Sequence, residues 1–141
     1  MLMKLTSRLV LVAAAVAVFA VAAPPVMSAA KAPVIVRTDK TFGRILLTPG
    51  HKALYYWGVE KQARRIACTG ICLKQWPPLI VKSRAAVPGR LPGVKGTFGV
   101  VRRPDGRLQV TYKGLALYTY ADDPRDQVLC NNFNRWFVVR I

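Results

Sequence analysis

Acidic side chains are scarce in this sequence, six Asp and Glu against 22 Lys and Arg, and histidine and cysteine are scarcer still, at one and three. The lone histidine, His51, sits in a turn after Pro49-Gly50, with no Ser-His-Asp order or nucleophile elbow to partner it. Phosphate-binding glycine loops and dinucleotide fingerprints are absent as well, so the chain is expected not to be an enzyme. No cysteine precedes Cys68, and a lipid-modified cysteine near the N-terminus is therefore not expected. Three cysteines are too few for a small fold held mainly by disulfides. No helix-turn-helix, zinc-finger or RNA-recognition pattern accompanies the basic residues, which argues against dedicated nucleic-acid binding.

What is present begins with an export signal over residues 1–30. Lys4 and Arg8 precede fifteen uncharged residues, Leu9 to Ala23, and Ser28-Ala29-Ala30 supplies the small side chains of a cleavage site after Ala30. The apolar run falls short of the roughly 20 residues that span a bilayer, so cleavage is expected, with an uncleaved anchor as the alternative. The product is then periplasmic or extracellular and not lipid-anchored. Without Lys4 and Arg8, 20 basic residues face 6 acidic ones, a net +14. Such a charge draws the protein to anionic envelope polymers or lipid headgroups through a long-range, salt-sensitive force.

Residues 31–141 are the size of one domain. Short apolar runs bounded by Gly and Pro predict strands over 34–36, 44–47, 53–57, 79–81, 98–101, 108–112, 115–120 and 136–141, joined by tight turns. At most one short helix is expected, within Arg64 to Gln75 near the C-x-x-x-C segment. Two halves echo each other. TFGRILLTPG at Thr41 matches TFGVVRRPDG at Thr97, and ALYYWGVE at Ala53 matches ALYTYADD at Ala116. A cysteine follows the first tyrosine of each motif by 13 and 12 residues, Cys68 after Tyr55 and Cys130 after Tyr118. A tryptophan then leads into an apolar run, Trp76 before PPLIV and Trp136 before FVVRI. The fold expected is mainly β, two pseudo-symmetric antiparallel hairpin repeats packed into one small domain. Its parts are an N-terminal extension 31–40, repeat one 41–82, a loop 83–96, and repeat two 97–141 with an additional hairpin. Tyr55 with Trp57, and Tyr118 with Tyr120, share a strand face and are read as packing, with a ligand-stacking face as the alternative.

These residues resemble a family of secreted bacterial repeat proteins and lipoproteins with a conserved Yx(FWY)xxD motif, whose biochemical role is not established. Tyr118, Tyr120 and Asp123 match the motif in full; Tyr55, Trp57 and Glu60 match with Glu for Asp. Cys68-x-x-x-Cys72-x-x-x-Trp76-Pro77-Pro78-Leu79 is similar to the family's C-x-x-x-C-x-x-x-WPPL signature. The motif acids lie just beyond their strands, where a carboxylate accepts bonds from loop amides or pairs with an arginine. A binding role requires Glu60 and Asp123 to converge on one site.

The cysteines admit several chemistries. Residues i and i+4 in a compact turn lie within disulfide range, and an oxidising compartment favours Cys68 with Cys72. Cys130 competes for either partner, stays a free thiol, or links two chains into a dimer. The alternatives are a thiol-redox pair, a copper site made of Cys68, Cys72 and His51, and a zinc site adding Cys130. The reading drawn from the sequence is a non-enzymatic envelope or extracellular binding module with a basic surface and no cofactor; the alternative is a periplasmic copper-binding or thiol-redox protein.

Overall fold

A computed structural model describes residues 31–141. The export signal and its cleavage after Ala30 lie outside the described residues. Among the described residues eight strands form, in the order β1 (Ile35–Asp39), β2 (Gly43–Leu47), β3 (Tyr55–Trp57), β4 (Ile80–Val81), β5 (Phe98–Arg102), β6 (Leu108–Tyr112), β7 (Leu115–Ala116) and β8 (Trp136–Val138). Each falls in or beside a run marked out by its apolar residues, and all the ladders are antiparallel: β1 with β2, β3 with β8, and β6 with β4, β5 and β7. This is the small mainly-β domain expected from the sequence.

Helix is distributed differently from the single short one expected near the cysteines. The helix α1 (Gly58–Ala63) follows β3 directly, α2 (Cys72–Gln75) is one turn inside the expected segment, and Arg84–Ala86 make a 3₁₀ turn. The helix α1 has no side-chain cap and is six residues long, too short for a 3.6-residue periodicity to show in its sequence.

The hydrogen bonds reveal a pseudo-twofold repeat. Tyr55 and Tyr118 exchange backbone bonds of 2.8 and 2.9 Å with each other. Around that pair the bonds fall into three matched sets. Leu54 N–H donates to Leu46 as Leu117 N–H does to Val110, Val139 donates to Leu54 as Leu79 does to Leu117, and Leu46 donates to Val139 as Val110 does to Leu79. Hairpin β1–β2 thus corresponds to β5–β6. The strand β1 lies in the segment 31–40, expected to be an extension, and β6 lies in the hairpin around Arg107 to Gly114, expected to be additional in repeat two; their mates are β5 and β2. The TFG echo is a different matter: Gly43 opens β2 straight after the β1–β2 turn, at φ +73°, whereas Gly99 lies inside β5. The tripeptides are alike and their places in the fold are not.

One mate is disguised by proline. Tyr118 bridges Pro78 as Tyr55 pairs with Val138, and Thr119 N–H donates to Pro77. Pro77 and Pro78 have no amide to give back, so the counterpart of the β3–β8 ribbon is only half-laddered. In β2, Ile45, Leu46 and Leu47 are all fully buried because both faces of the strand are covered. Ile45 and Leu47 face a cluster with Tyr55, Trp76, Tyr118 and Trp136. Leu46 faces a second apolar cluster with Leu54, Phe98, Val110, Tyr112 and Leu117, which the 83–96 loop covers with Val87, Leu91 and Val94.

Candidate functional site

The first tyrosine of each motif ends on the acid of the other copy. Tyr55 Oη donates to Asp123 Oδ2 at 2.7 Å, and Tyr118 Oη donates to Glu60 Oε1 at 2.8 Å. The acids in turn fasten the loops ahead. Glu60 Oε1 accepts from the amides of Ala67 and Cys68 at 2.7 and 2.9 Å, while Asp123 Oδ1 accepts from Leu129 N–H at 3.0 Å. Both tyrosines and both acids are buried. Burial, and then the neighbouring carboxylate, holds both phenols well above their ordinary pKa, so they remain donors. Burial also raises Asp123, against the bonds from Tyr55 and Leu129 and the charge of Lys52. The two acids serve different tyrosines and different loops, and they do not form a joint site.

The remaining motif aromatics flank a stack. Trp76 and Trp136, mates in the repeat, lie face to face with centroids 3.8 Å apart and planes 7° from parallel. Trp57 continues the stack on Trp136 at 5.2 Å, and Tyr120 caps Trp76 at 4.9 Å. Tyr55 and Tyr118 close the sides edge-on. These rings pack against one another. Pro77, Pro78 and Leu79 carry the chain from this stack into β4.

Cys68 and Cys72 are joined by a disulfide, with Cα atoms 5.4 Å apart. Cys130 is free and buried, and burial, then the charge of Asp123, pushes its thiol up. His51 meets Asp126, Nδ1 to Oδ1 at 2.9 Å, rather than the cysteines. Among the described residues no group of three or more His, Cys, Asp or Glu side chains gathers as metal ligands.

Three features have no signal in the sequence. Arg103 is 2% exposed, with Nη1 donating to Gln109 and to Tyr118 Oη (3.3 Å), and Nη2 donating to the Cys68 carbonyl at 2.6 Å. Arg102 beside it is exposed, and a basic pair in a strand end does not reveal which member turns inward. Lys52 folds its ammonium onto the carbonyls of Tyr120, Ala121 and Asp123. The third is a cleft of about 450 Å³ between α1 with the residues after it and the β6–β7 turn. Lys61, Arg64, Arg65 and Lys113 stand at its mouth, exposed, and Tyr56, Trp57, Ile66, Val101 and Leu115 line it. Lys113 is remote in sequence from Lys61, Arg64 and Arg65, and the four read there only as dispersed charge.

Residues 99–140 match the model of a family described as a secreted repeat of unknown function. The match runs from the second residue of β5 past β8 and places the family resemblance on the second copy. No curated protein and no solved structure matches the chain.

Proposed function

We propose that this chain is an exported, soluble, non-enzymatic binding module of the cell envelope or extracellular space, holding an anionic partner such as an envelope polymer or lipid headgroups on its basic surface. The observation that carries the reading is the cleft, where Lys61, Arg64, Arg65 and Lys113 converge with no acid paired to any of them among the described residues. Five of the six acids have partners other than these cations. Asp39, Asp105 and Asp126 pair with Arg37, Arg107 and His51, and Glu60 and Asp123 are committed to the crossed tyrosines. What remains is a surface whose field favours anions over a Debye length of about 8 Å at physiological salt.

Chromatography on an immobilised acidic polysaccharide tests this. The protein should be retained at low salt and elute as salt rises, later than a control protein of equal net charge. Co-elution with the control would reduce the effect to bulk charge and end the reading.

The copper or thiol-redox alternative needs Cys68 and Cys72 reduced. Mass spectrometry of the unreduced protein from its own compartment should find that bond intact, with no metal and no dimer through Cys130. Free thiols with one copper per chain would favour the alternative.

A further inference from the structure

The cleft beside α1 is lined from both copies and has a pseudo-twofold mate, also built from both, and the two differ. Leu115 corresponds to Lys52 and Val101 to Arg37, one residue from each wall. At the mate the chain fills the space itself. Lys52 is held by three carbonyls, Arg37 reaches the Asp126 carbonyl at 2.7 Å, and Asp126 meets His51. In the cleft beside α1 those places are apolar, and the cations around them are unengaged: none of Lys61, Arg64, Arg65 or Lys113 makes a side-chain hydrogen bond or ion pair among the described residues. Lys61 lies only over the ring of Tyr56, at 5.9 Å from its centroid, and Lys113 over Tyr112 at 5.3 Å.

We propose that this cleft is a specific site for a phosphoryl group carried on a small hydroxyl-bearing body, in a phosphate ester of the glycerol phosphate type; the proposal rests on the binding role given above and names its ligand. Charge is the first argument. Four cations approach from two separate elements, and a phosphoryl group answers them with up to two charges and three acceptor oxygens, where a carboxylate brings one charge and two. Two of the four are arginines, whose planar forks match phosphate oxygens in pairs. Size is the second argument. The cleft holds about 450 Å³, inside the range of small-ligand sites and more than a phosphate alone fills. The inner wall is apolar except for Glu60, whose Oε2 is buried without a hydrogen-bond partner and offers an acceptor to a hydroxyl of the body.

Backbone geometry supplies a third argument. Arg64 and Lys113 both adopt left-handed conformations, φ 52° and 49°, which bulky residues rarely take. Arg64 is held there by its amide's 2.7 Å bond to the Glu60 carbonyl, and Lys113 by its amide's 2.8 Å bond to the Thr97 carbonyl. The main chain thus sets the direction in which two of the four side chains leave the backbone before any ligand arrives.

The test is an amide-detected NMR titration of the exported chain with glycerol 1-phosphate, with glucuronate as the carboxylate comparison. Saturable shifts confined to residues 56–66 and 113–116 are expected with the phosphate, and at least tenfold weaker binding with glucuronate. The double variant Lys61→Ala/Arg65→Ala alters two exposed side chains and should weaken phosphate binding at least tenfold. Arg84→Ala/Arg90→Ala removes the same charge from the 83–96 loop and should change it less than twofold. Competition by phosphatidylglycerol vesicles assigns the ester to a headgroup; its absence assigns it to a soluble or polymeric phosphate. Shifts scattered over the surface, equal losses in the two double variants, or glucuronate binding as well as phosphate would overturn the site while leaving salt-sensitive retention on acidic polymer untouched. Loss of that retention, with the cleft still saturable, would instead end the broader reading alone.

Discussion

Tyr55 and Tyr118 place a phenol hydroxyl in the core, and each donates its proton to a carboxylate of the other copy. Removing one hydroxyl leaves a buried carboxylate oxygen short of a donor, which costs about 1–3 kcal/mol. Tyr55→Phe and Tyr118→Phe are each expected to lower stability by that amount in urea denaturation, with unchanged slope. The acids differ in how pH reaches them. Asp123 titrates above its ordinary 3.8 because burial disfavours its charge. The folded state therefore binds that proton more tightly, and stability from this group is full below about pH 4 and declines as pH rises through the folded value. Asp39 is the reverse, held below 3.8 chiefly by the amides of Phe42 and Thr41, and its contribution is lost as pH falls. Measured over pH 3–7, the stability of wild type relative to Asp123→Asn should fall as pH rises, and that relative to Asp39→Asn should rise. A flat difference for Asp123→Asn would contradict the burial effect. The residue spacing made part of this legible, since a tyrosine, a second aromatic and an acid just past a strand imply one shared face and a carboxylate near loop amides. That each acid would serve the opposite copy was not legible, because a spacing within one copy carries no information about the other.

Strands were the most readable elements, since each is an apolar run closed by Gly or Pro, and a two-residue period shows even in five residues. The errors share one cause. TFG at Thr41 and at Thr97 has the same letters, but a glycine at φ +73° closes the first hairpin while the other is extended within a strand. Letter identity misplaced the copies by a strand, whereas the hydrogen-bond mates around Tyr55 and Tyr118 align them. Pro77 and Pro78 obscure a ladder in a similar way, by removing donors without removing the strand's position. The disulfide between Cys68 and Cys72 belongs to this scale, because it shapes the loop that Glu60 also fastens. It closes a loop of separation 4. A loop so short yields about 2 kcal/mol of unfolded-chain entropy. Cys72→Ser is expected to lower the unfolding free energy by about that much, and reductant should bring wild type to the same level while leaving the variant unchanged.

At the scale of the molecule, the copies are interlocked rather than stacked. The strand β8 of the second copy finds its ladder on β3 of the first, Leu117 lies against Leu79, and the Trp76–Trp136 stack takes one ring from each. The matched family segment, residues 99–140, is thus a unit of sequence and not a unit of folding. Taken alone, residues 97–141 keep β5, β6 and β7 but lose the partner of β8, the backbone mate of Tyr118 and the carboxylate that receives its hydroxyl. A chain of 45 residues already lies near the size below which a single core seldom holds without staples, and its one cysteine is Cys130. This fragment is expected to show no cooperative unfolding transition and the narrow amide dispersion of an unfolded chain. Adding residues 31–96 supplies β3, Glu60 and Trp76 together, and native dispersion should return at equimolar ratio. A sigmoidal melt from residues 97–141 by themselves would show that the crossed tyrosine pairs decorate a fold that each copy reaches alone.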